Sequence, residues 1–255
     1  MNLLILEEGE LRDEREIVLS GPRARQVLAE RELVAGDRLR VGGLDGRIGA
    51  AAIQRVSAEE IVASVGPFVD AAPLEPVSII LAIPRPQILK QVLRTCGMFG
   101  VERLMLVRSA ASEKSYFQSS VLRAENLRRH LLDGLEQGVV TRLPLVSEHR
   151  LFRPFVEDQL DQLLQPSTVR LLPDPSGAQH FATLGFENKI RLGTPVVVAI
   201  GAESGWSEFE LQLFAARGFV SFSLGLQILR VDVALSALLG QIDLLRRMGA
   251  STAGQ

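Results

Sequence analysis

A single cysteine, Cys96, stands in the whole chain, so no intrachain disulfide can form and a reducing compartment fits. No run of eighteen apolar residues occurs, so no helical membrane span is expected. The apolar start, Met1 to Leu6, is too short for a secretory signal and runs into acidic residues. A cytoplasmic protein is the expectation. The three histidines, His130, His149 and His180, are scattered without ligand spacing, so no metal site is expected. No G-x-G-x-x-G follows a strand-like run, which argues against a dinucleotide fold. Gly201-x-x-Ser204-Gly205 is not the G-x-S-x-G of a nucleophile elbow, which argues against a serine hydrolase. A large basic excess is missing too. The net charge is −2, which is not the footprint of a general nucleic-acid binder.

What is there is a chain of 255 residues, 47% hydrophobic, enough for one large domain or two smaller ones. Its most informative stretch runs from Val196 to Leu245. The β-branched run Val196 to Ile200 ends at Gly201. Ser207-x-x-Glu210 then forms a capping box that opens a helix ending at Gly218. Val220 to Leu224 reads as a further strand. A loop from Gly225 to Asp232 leads to a long apolar-striped helix beginning near Val233. Strands alternating with helices imply parallel pairing, with ligands outside the carboxyl ends of the strands.

Residues 1 to about 66 read instead as a small β-rich module. Ile17 to Leu19, Asp37 to Val41, Arg47 to Val56 and Glu60 to Val65 read as strands, and Asp45-Gly46 as a hairpin turn. Ala24 to Leu28 reads as one or two helical turns. Three prolines between Gly66 and Pro76 mark the boundary, giving domains at 1–70 and 74–255. Val77 to Ile83 reads as a strand buried on both faces. Pro86 to Phe99 follows as a helix closed by Gly100, then a strand from Leu104 to Val107. Val121 to Gln137 is amphipathic, Leu143 to Val146 a short strand, Phe155 to Leu164 a helix, and Val169 to Leu172 a strand ending at Pro173-Asp174. Phe181 to Lys189 is ambiguous.

Charge is unevenly spread. Arg85 to Arg129 carries nine Arg or Lys against three Glu, whereas Met1 to Asp70 carries nine Arg against thirteen acids. The basic segment is either a solvated helix face or a stripe for RNA phosphates. The loop Ser112 to Ser119 holds the only tyrosine, Tyr116. Its aromatics either pack the loop down or stack on an unpaired base.

The Val196 to Leu245 stretch resembles the C-terminal signature of the ribosomal RNA small subunit methyltransferase E family, of the SPOUT class. The usual wording is I-G-P-E-G-G-[FW], then about twenty residues, then S-L-G-x-R-I-L-R-x-E-T-A. This chain keeps Ile200, Gly201, Glu203, Gly205, Trp206, Ser223, Leu224, Gly225, Ile228, Leu229, Arg230 and Ala234. It departs at Ala202, Ser204, Gln227, Asp232 and Val233. It also has Thr95 to Gly100 where the family has Lys-Ala-x-Glu-Leu-Gly, and Val140 near a usual Arg. The N-terminal module is similar to the PUA-like domain of the same family, with Arg25, Val27-Leu28, Gly36-Asp37 and Gly46-Arg47 in its recurrent places. Glu113-Lys114-Ser115 is similar to the family's Glu-Arg-Ser.

The resemblance implies a PUA-like β-barrel followed by a SPOUT-type α/β domain with a trefoil knot. It implies S-adenosyl-L-methionine in three loops, held by Pro173, Ile200, Gly201, Glu203, Gly205, Ser223, Leu224, Gly225, Ile228, Leu229 and Ala234. Gly201 and Gly225 are expected to leave space that a side chain would take from the cofactor. Arg230 is the expected stabiliser of charge on a uridine losing its N3 proton. Asp232, in the place of Glu, is expected to orient Arg230 or accept that proton; a helix N-cap is its plainer reading. Arg25, Arg47 and Lys114 are the expected contacts to small-subunit ribosomal RNA. A homodimer is expected through Leu235, Leu238, Ile242 and Leu245, although that stripe also suits the helix's own sheet. The competing class is a SPOUT-fold RNA-binding protein with weak or lost catalysis, or a methyltransferase for another nucleotide.

Overall fold

The computed structural model describes residues 2–252. They form two compact units, residues 2–74 with Gly97–Gly100 and Leu131–Leu143, and Glu75–Cys96 with Val101–His130 and residues 144–252.

The first unit carries β1 (Leu4–Ile5), β2 (Leu11–Arg12), β3 (Glu16–Ser20), β4 (Arg38–Gly42), β5 (Arg47–Val56), β6 (Glu60–Val65) and β7 (Val69–Asp70). The strand order is β1-β4-β5-β6-β3-β2, with β7 on β5. Only the β1–β4 pair is parallel. This barrel-like sheet wraps a core of Ile17, Leu19, Val41, Ile53 and Ile61, plugged by Ala24 and Val27 of helix α1 (Pro22–Glu30). Pro22 opens that helix, where no backbone N–H is needed.

The second unit holds β8 (Glu75–Ala82), β9 (Val101–Val107), β10 (Leu145–His149), β11 (Val169–Pro173), β12 (Val196–Ile200) and β13 (Val220–Phe222). Their order is β10-β9-β8-β12-β11-β13, and every pair is parallel, as the alternation of strands and helices requires. Val196 to Ile200 are all buried because β12 lies between β8 and β11 with both faces covered. Ile79, Ile80 and Leu81 on β8 are fully buried too. Each such side chain contributes about 1.5–3 kcal/mol, and Ile80→Ala would cost roughly 2–5 kcal/mol.

The remaining helices are α2 (Pro86–Phe99), α3 (Ala124–Gly138), α4 (Phe152–Pro154), α5 (Leu160–Leu163), α6 (Glu187–Arg191), α7 (Glu208–Ala216) and α8 (Val231–Thr252). Several bounds differ from the sequence reading. Before α3, Ser120–Leu122 is a separate 3-10 turn capped by the Ser119 side chain. The strand expected at Leu143 to Val146 is β10, which starts after Pro144 and follows its parallel partner β9 from Leu145↔Arg103 to His149↔Val107. The helix expected from Phe155 begins at Phe152, since Pro154 is tolerated in a first turn. A π-helical stretch, Phe155–Gln159, joins α4 to α5. Its wider turn keeps Phe155 and Leu160, five residues apart, in the same core. The ambiguous 181–189 segment splits into a 3-10 turn, Phe181–Thr183, and α6.

Helix α8 corrects two expectations. It starts at Val231, with Ala234 N donating to Arg230 O at 2.8 Å, so Asp232 lies inside the first turn and is not its N-cap. Leu235, Leu238 and Ile242 are buried within their own unit, where α8 packs on α6, so they are not available to a second copy, while Leu245 is half-buried. Val233, Leu244 and Met248 are the exposed apolar residues of this helix.

The chain after β11 lies directly against β13. Asp174 N donates to Phe222 O at 2.9 Å and Ser223 N donates to Gln179 O at 2.8 Å. A Cβ on Gly177 would sit 2.4 Å from the Phe222 carbonyl carbon, so only glycine lets the two backbones cross there.

Candidate functional site

The loops that leave β11, β12 and β13 meet at the carboxyl end of the sheet and enclose a pocket of about 290 Å³. Its position follows from the topology, since β11 and β12 lie side by side and β13 flanks β11. All eleven residues expected to hold the cofactor line it: Pro173 from the first loop, Ile200, Gly201, Glu203 and Gly205 from the second, and Ser223, Leu224, Gly225, Ile228, Leu229 and Ala234 from the third. Arg230 lines it as well. Asp174, Pro175, Ala202, Trp206, Gln227 and Val231 complete the wall. Of these, Ala202 and Gln227 stand at motif positions where the chain departs from the usual residue. Asp174 and Pro175 carried no signal beyond ending a strand.

The second loop is fixed from below. Ser207 Oγ accepts from Glu210 N at 3.4 Å, and Glu210 Oε2 accepts from Ser207 N at 2.8 Å, the capping box read from the sequence. The sequence did not show that Glu210 is buried, or that its other oxygen accepts from Ala110 N at 2.7 Å. One carboxylate thus ties the pocket loop to the loop after β9. Trp206 is buried against Phe214, ring centres 5.0 Å apart, and its Nε1 donates to Ala199 O at 3.4 Å.

A Cβ at Gly201 would stand 2.9 Å from Gly205 Cα, so the loop's own backbone already requires glycine there. Gly205 itself adopts φ +74° with nothing within 4 Å of an added Cβ. Around Gly225 an added Cβ likewise meets no protein atom.

The third loop is unusual in what it exposes. Ile228 is 84% exposed and Leu226 93%. Ser223 Oγ steadies the loop by donating to Gly225 O at 2.8 Å. Apolar side chains beside close backbone suit the adenine and the methionine arm of S-adenosylmethionine, so the residues present fit that cofactor. Glu203 is only partly available to it. Its Oε1 accepts from Arg85 N at 3.0 Å, and the Arg85 guanidinium lies 4.0 Å away.

At the pocket rim Arg230 and Asp232 form a two-pronged pair. Arg230 Nη2 donates to Asp232 Oδ2 at 2.8 Å and Nε to Oδ1 at 3.2 Å. The Arg230 side chain is 70% exposed and that of Asp232 12%. The aspartate therefore aims a solvent-facing cation over the site.

The three expected RNA contacts are dispersed. Arg25 is exposed and bound to Glu59 at 2.6 Å. Arg47 Nε donates to Asp45 at 2.6 Å, and its guanidinium stacks 5.5 Å from the Phe68 ring centre. Lys114 is exposed at the start of a 3-10 turn, Lys114–Gln118. In that turn Tyr116 Oη donates to Glu113 Oε1 at 2.8 Å and also meets Arg85. The Glu113 carboxylate pushes the tyrosine pKa up, aided by burial, and Tyr116 in turn raises that of Arg85. Neither group is legible from spacing, because Arg85 and Tyr116 come from different strand ends.

Among the described residues no three His, Cys, Asp or Glu stand together as a metal site, and no helix is long and apolar enough to cross a membrane.

Residues 70–243 match the RNA methyltransferase domain family. The chain is 30% identical over 208 residues to the ribosomal RNA small subunit methyltransferase E of Treponema pallidum, covering 81% of this chain and 76% of that protein. It is 21% identical to ribosomal RNA small subunit methyltransferase E 1 of Borreliella burgdorferi, covering 93% and 95%. The solved ribosomal RNA small subunit methyltransferase E of Neisseria gonorrhoeae, bound to S-adenosyl methionine, superposes with a TM-score of 0.75 at 18% identity, over 96% of this chain and 98% of that one. A probable rRNA methyltransferase of Porphyromonas gingivalis gives 0.70 at 20% identity, over 97% and 99%. The overall likeness is that of the SPOUT-type α/β fold with its N-terminal β unit.

Proposed function

We propose that this chain, which belongs to the ribosomal RNA small subunit methyltransferase E family, methylates N3 of a uridine in small-subunit ribosomal RNA with S-adenosylmethionine as donor. The observation that carries this reading is the convergence of both sequence motifs on one pocket, with the Arg230–Asp232 pair at its rim.

S-adenosylmethionine supplies a methyl group on a sulfonium, an electrophile that needs no covalent enzyme intermediate. The protein's part is alignment and stabilisation of the charge left when one proton departs. The glycine-bearing loops present backbone to the cofactor and fix its direction. Alignment of this kind is worth about 7–11 kcal/mol. The uridine N3 loses its proton as it gains the methyl group, and negative charge spreads onto the flanking carbonyls. Arg230 meets that charge, a contact worth about 2.7–4 kcal/mol. Asp232 is a positioning residue in this scheme. Both of its oxygens are taken by Arg230, which disfavours it as proton acceptor, so the proton leaves to solvent.

The substrate is the assembled small subunit rather than free RNA. A net charge of −2 holds RNA weakly, so recognition needs a shaped target that engages the barrel-like unit and the α/β unit together. The chain acts as a homodimer through the exposed face of α8 that carries Val233 and Leu244.

The test is tritium transfer from labelled cofactor to subunits from a strain lacking the enzyme, beside naked RNA, followed by nucleoside mass spectrometry. N3-methyluridine on subunits is expected. Label on ribose or another base would end the N3 assignment, equal labelling of naked RNA the subunit claim, and no cofactor binding the enzyme reading.

A further inference from the structure

Beside the methyl-transfer pocket, the same carboxyl edge of the sheet carries a second cavity of about 250 Å³. It lies at the ends of β8, β9 and β10. Ile83 and Leu106 are its buried apolar floor, and Phe117 is a half-buried wall. The Arg108 guanidinium stacks 5.1 Å from the Phe117 ring centre. Gln118, Glu148 and Arg150 stand exposed around it.

We infer that this cavity binds an unpaired nucleotide of the RNA strand that flanks the methylated one, with its base against the Phe117–Arg108 stack. The inference rests on the RNA methyl-transfer reading above. Three features select this ligand. A flat aromatic–guanidinium platform over an apolar floor is what a base face needs. Gln118 offers both donor and acceptor to a base edge, and Glu148 accepts from base amino or imino groups while repelling a phosphate inside the cavity. Arg150 on the rim supplies the phosphate contact that Glu148 denies within.

A chain of contacts links the cavity wall to that of the first pocket. Glu203, a wall of the cofactor pocket, accepts from Arg85 N at 3.0 Å. The Arg85 side chain meets Tyr116, and Tyr116 is the immediate neighbour of Phe117 in one 3-10 turn. Arg85, Arg108 and Lys114 all belong to the basic segment of the sequence. His149 closes the far side as a neutral ring. Burial lowers its pKa, and its two nitrogens are engaged by Ser147 and Gln159 at 2.9 and 3.0 Å.

The full-length protein with a benzophenone amino acid in place of Phe117 is irradiated with small subunits. A crosslink to ribosomal RNA within a few nucleotides of the methylated base is expected; a crosslink confined to a ribosomal protein overturns the inference. In parallel, subunit affinity is measured by filter binding with S-adenosylhomocysteine present. Phe117→Leu should weaken it about tenfold and Phe117→Trp should restore it, since stacking needs a ring and not a particular one. Cofactor affinity should stay unchanged in both, which a merely unfolded variant would not show. If the wild type transfers methyl and Phe117→Leu binds subunits as tightly, the subsite is wrong and the function stands. If the wild type neither transfers methyl nor binds subunits, the function fails and the subsite with it.

Discussion

Asp232 holds Arg230 by both prongs, at 2.8 and 3.2 Å, from inside the first turn of α8. The rigid helix thereby sets the direction of a side chain that sits on an exposed loop. Arg230→Ala should lower kcat roughly 10²–10³-fold with little loss of cofactor affinity, because the charge it meets develops only in the transition state. Asp232→Asn should cost about tenfold, the loss of one charge-assisted bond. Tritium transfer at saturating cofactor measures both, and equal losses in kcat and cofactor binding would remove Arg230 from the chemistry.

The two motif glycines should fail in different ways. Gly201→Val drives a side chain into the Gly205 backbone, so thermal stability and cofactor binding should fall together. Gly225→Val places a Cβ that meets no protein atom, but its φ of 156° is a conformation in which a side chain is strained. Binding should be lost there, with the melting temperature falling less than for Gly201→Val. Calorimetry beside a thermal melt distinguishes the two.

Glu210→Ala removes the capping box and leaves Ala110 N without its carboxylate. The loss should be about 2 kcal/mol or more, read as a drop of about 5 °C in Tm. Glu210→Gln should lose less, since an amide still accepts from one of these donors.

Leu244→Glu should turn the proposed dimer into a monomer by light scattering at micromolar concentration, with the melting temperature kept because Leu244 is exposed. Leu238→Glu should instead unfold the α/β unit, because Leu238 is fully buried in its own core.

What the sequence by itself determined was whatever local chemistry dictates. The β-branched run of β12, the capping box of α7 and the Asp45-Gly46 turn follow from short-range preferences. The resemblance carried by the two motifs named most of the pocket lining, and each motif stays together in the fold because it is one run of residues at one strand end. Tertiary structure decided the rest. Pairing with β9 set where β10 begins, and packing of α8 within its own unit buried Leu235, Leu238 and Ile242. The Glu203–Arg85–Tyr116 contacts join residues far apart in the chain. No local pattern records such pairs, because a parallel sheet brings strand ends together only after every crossover has closed.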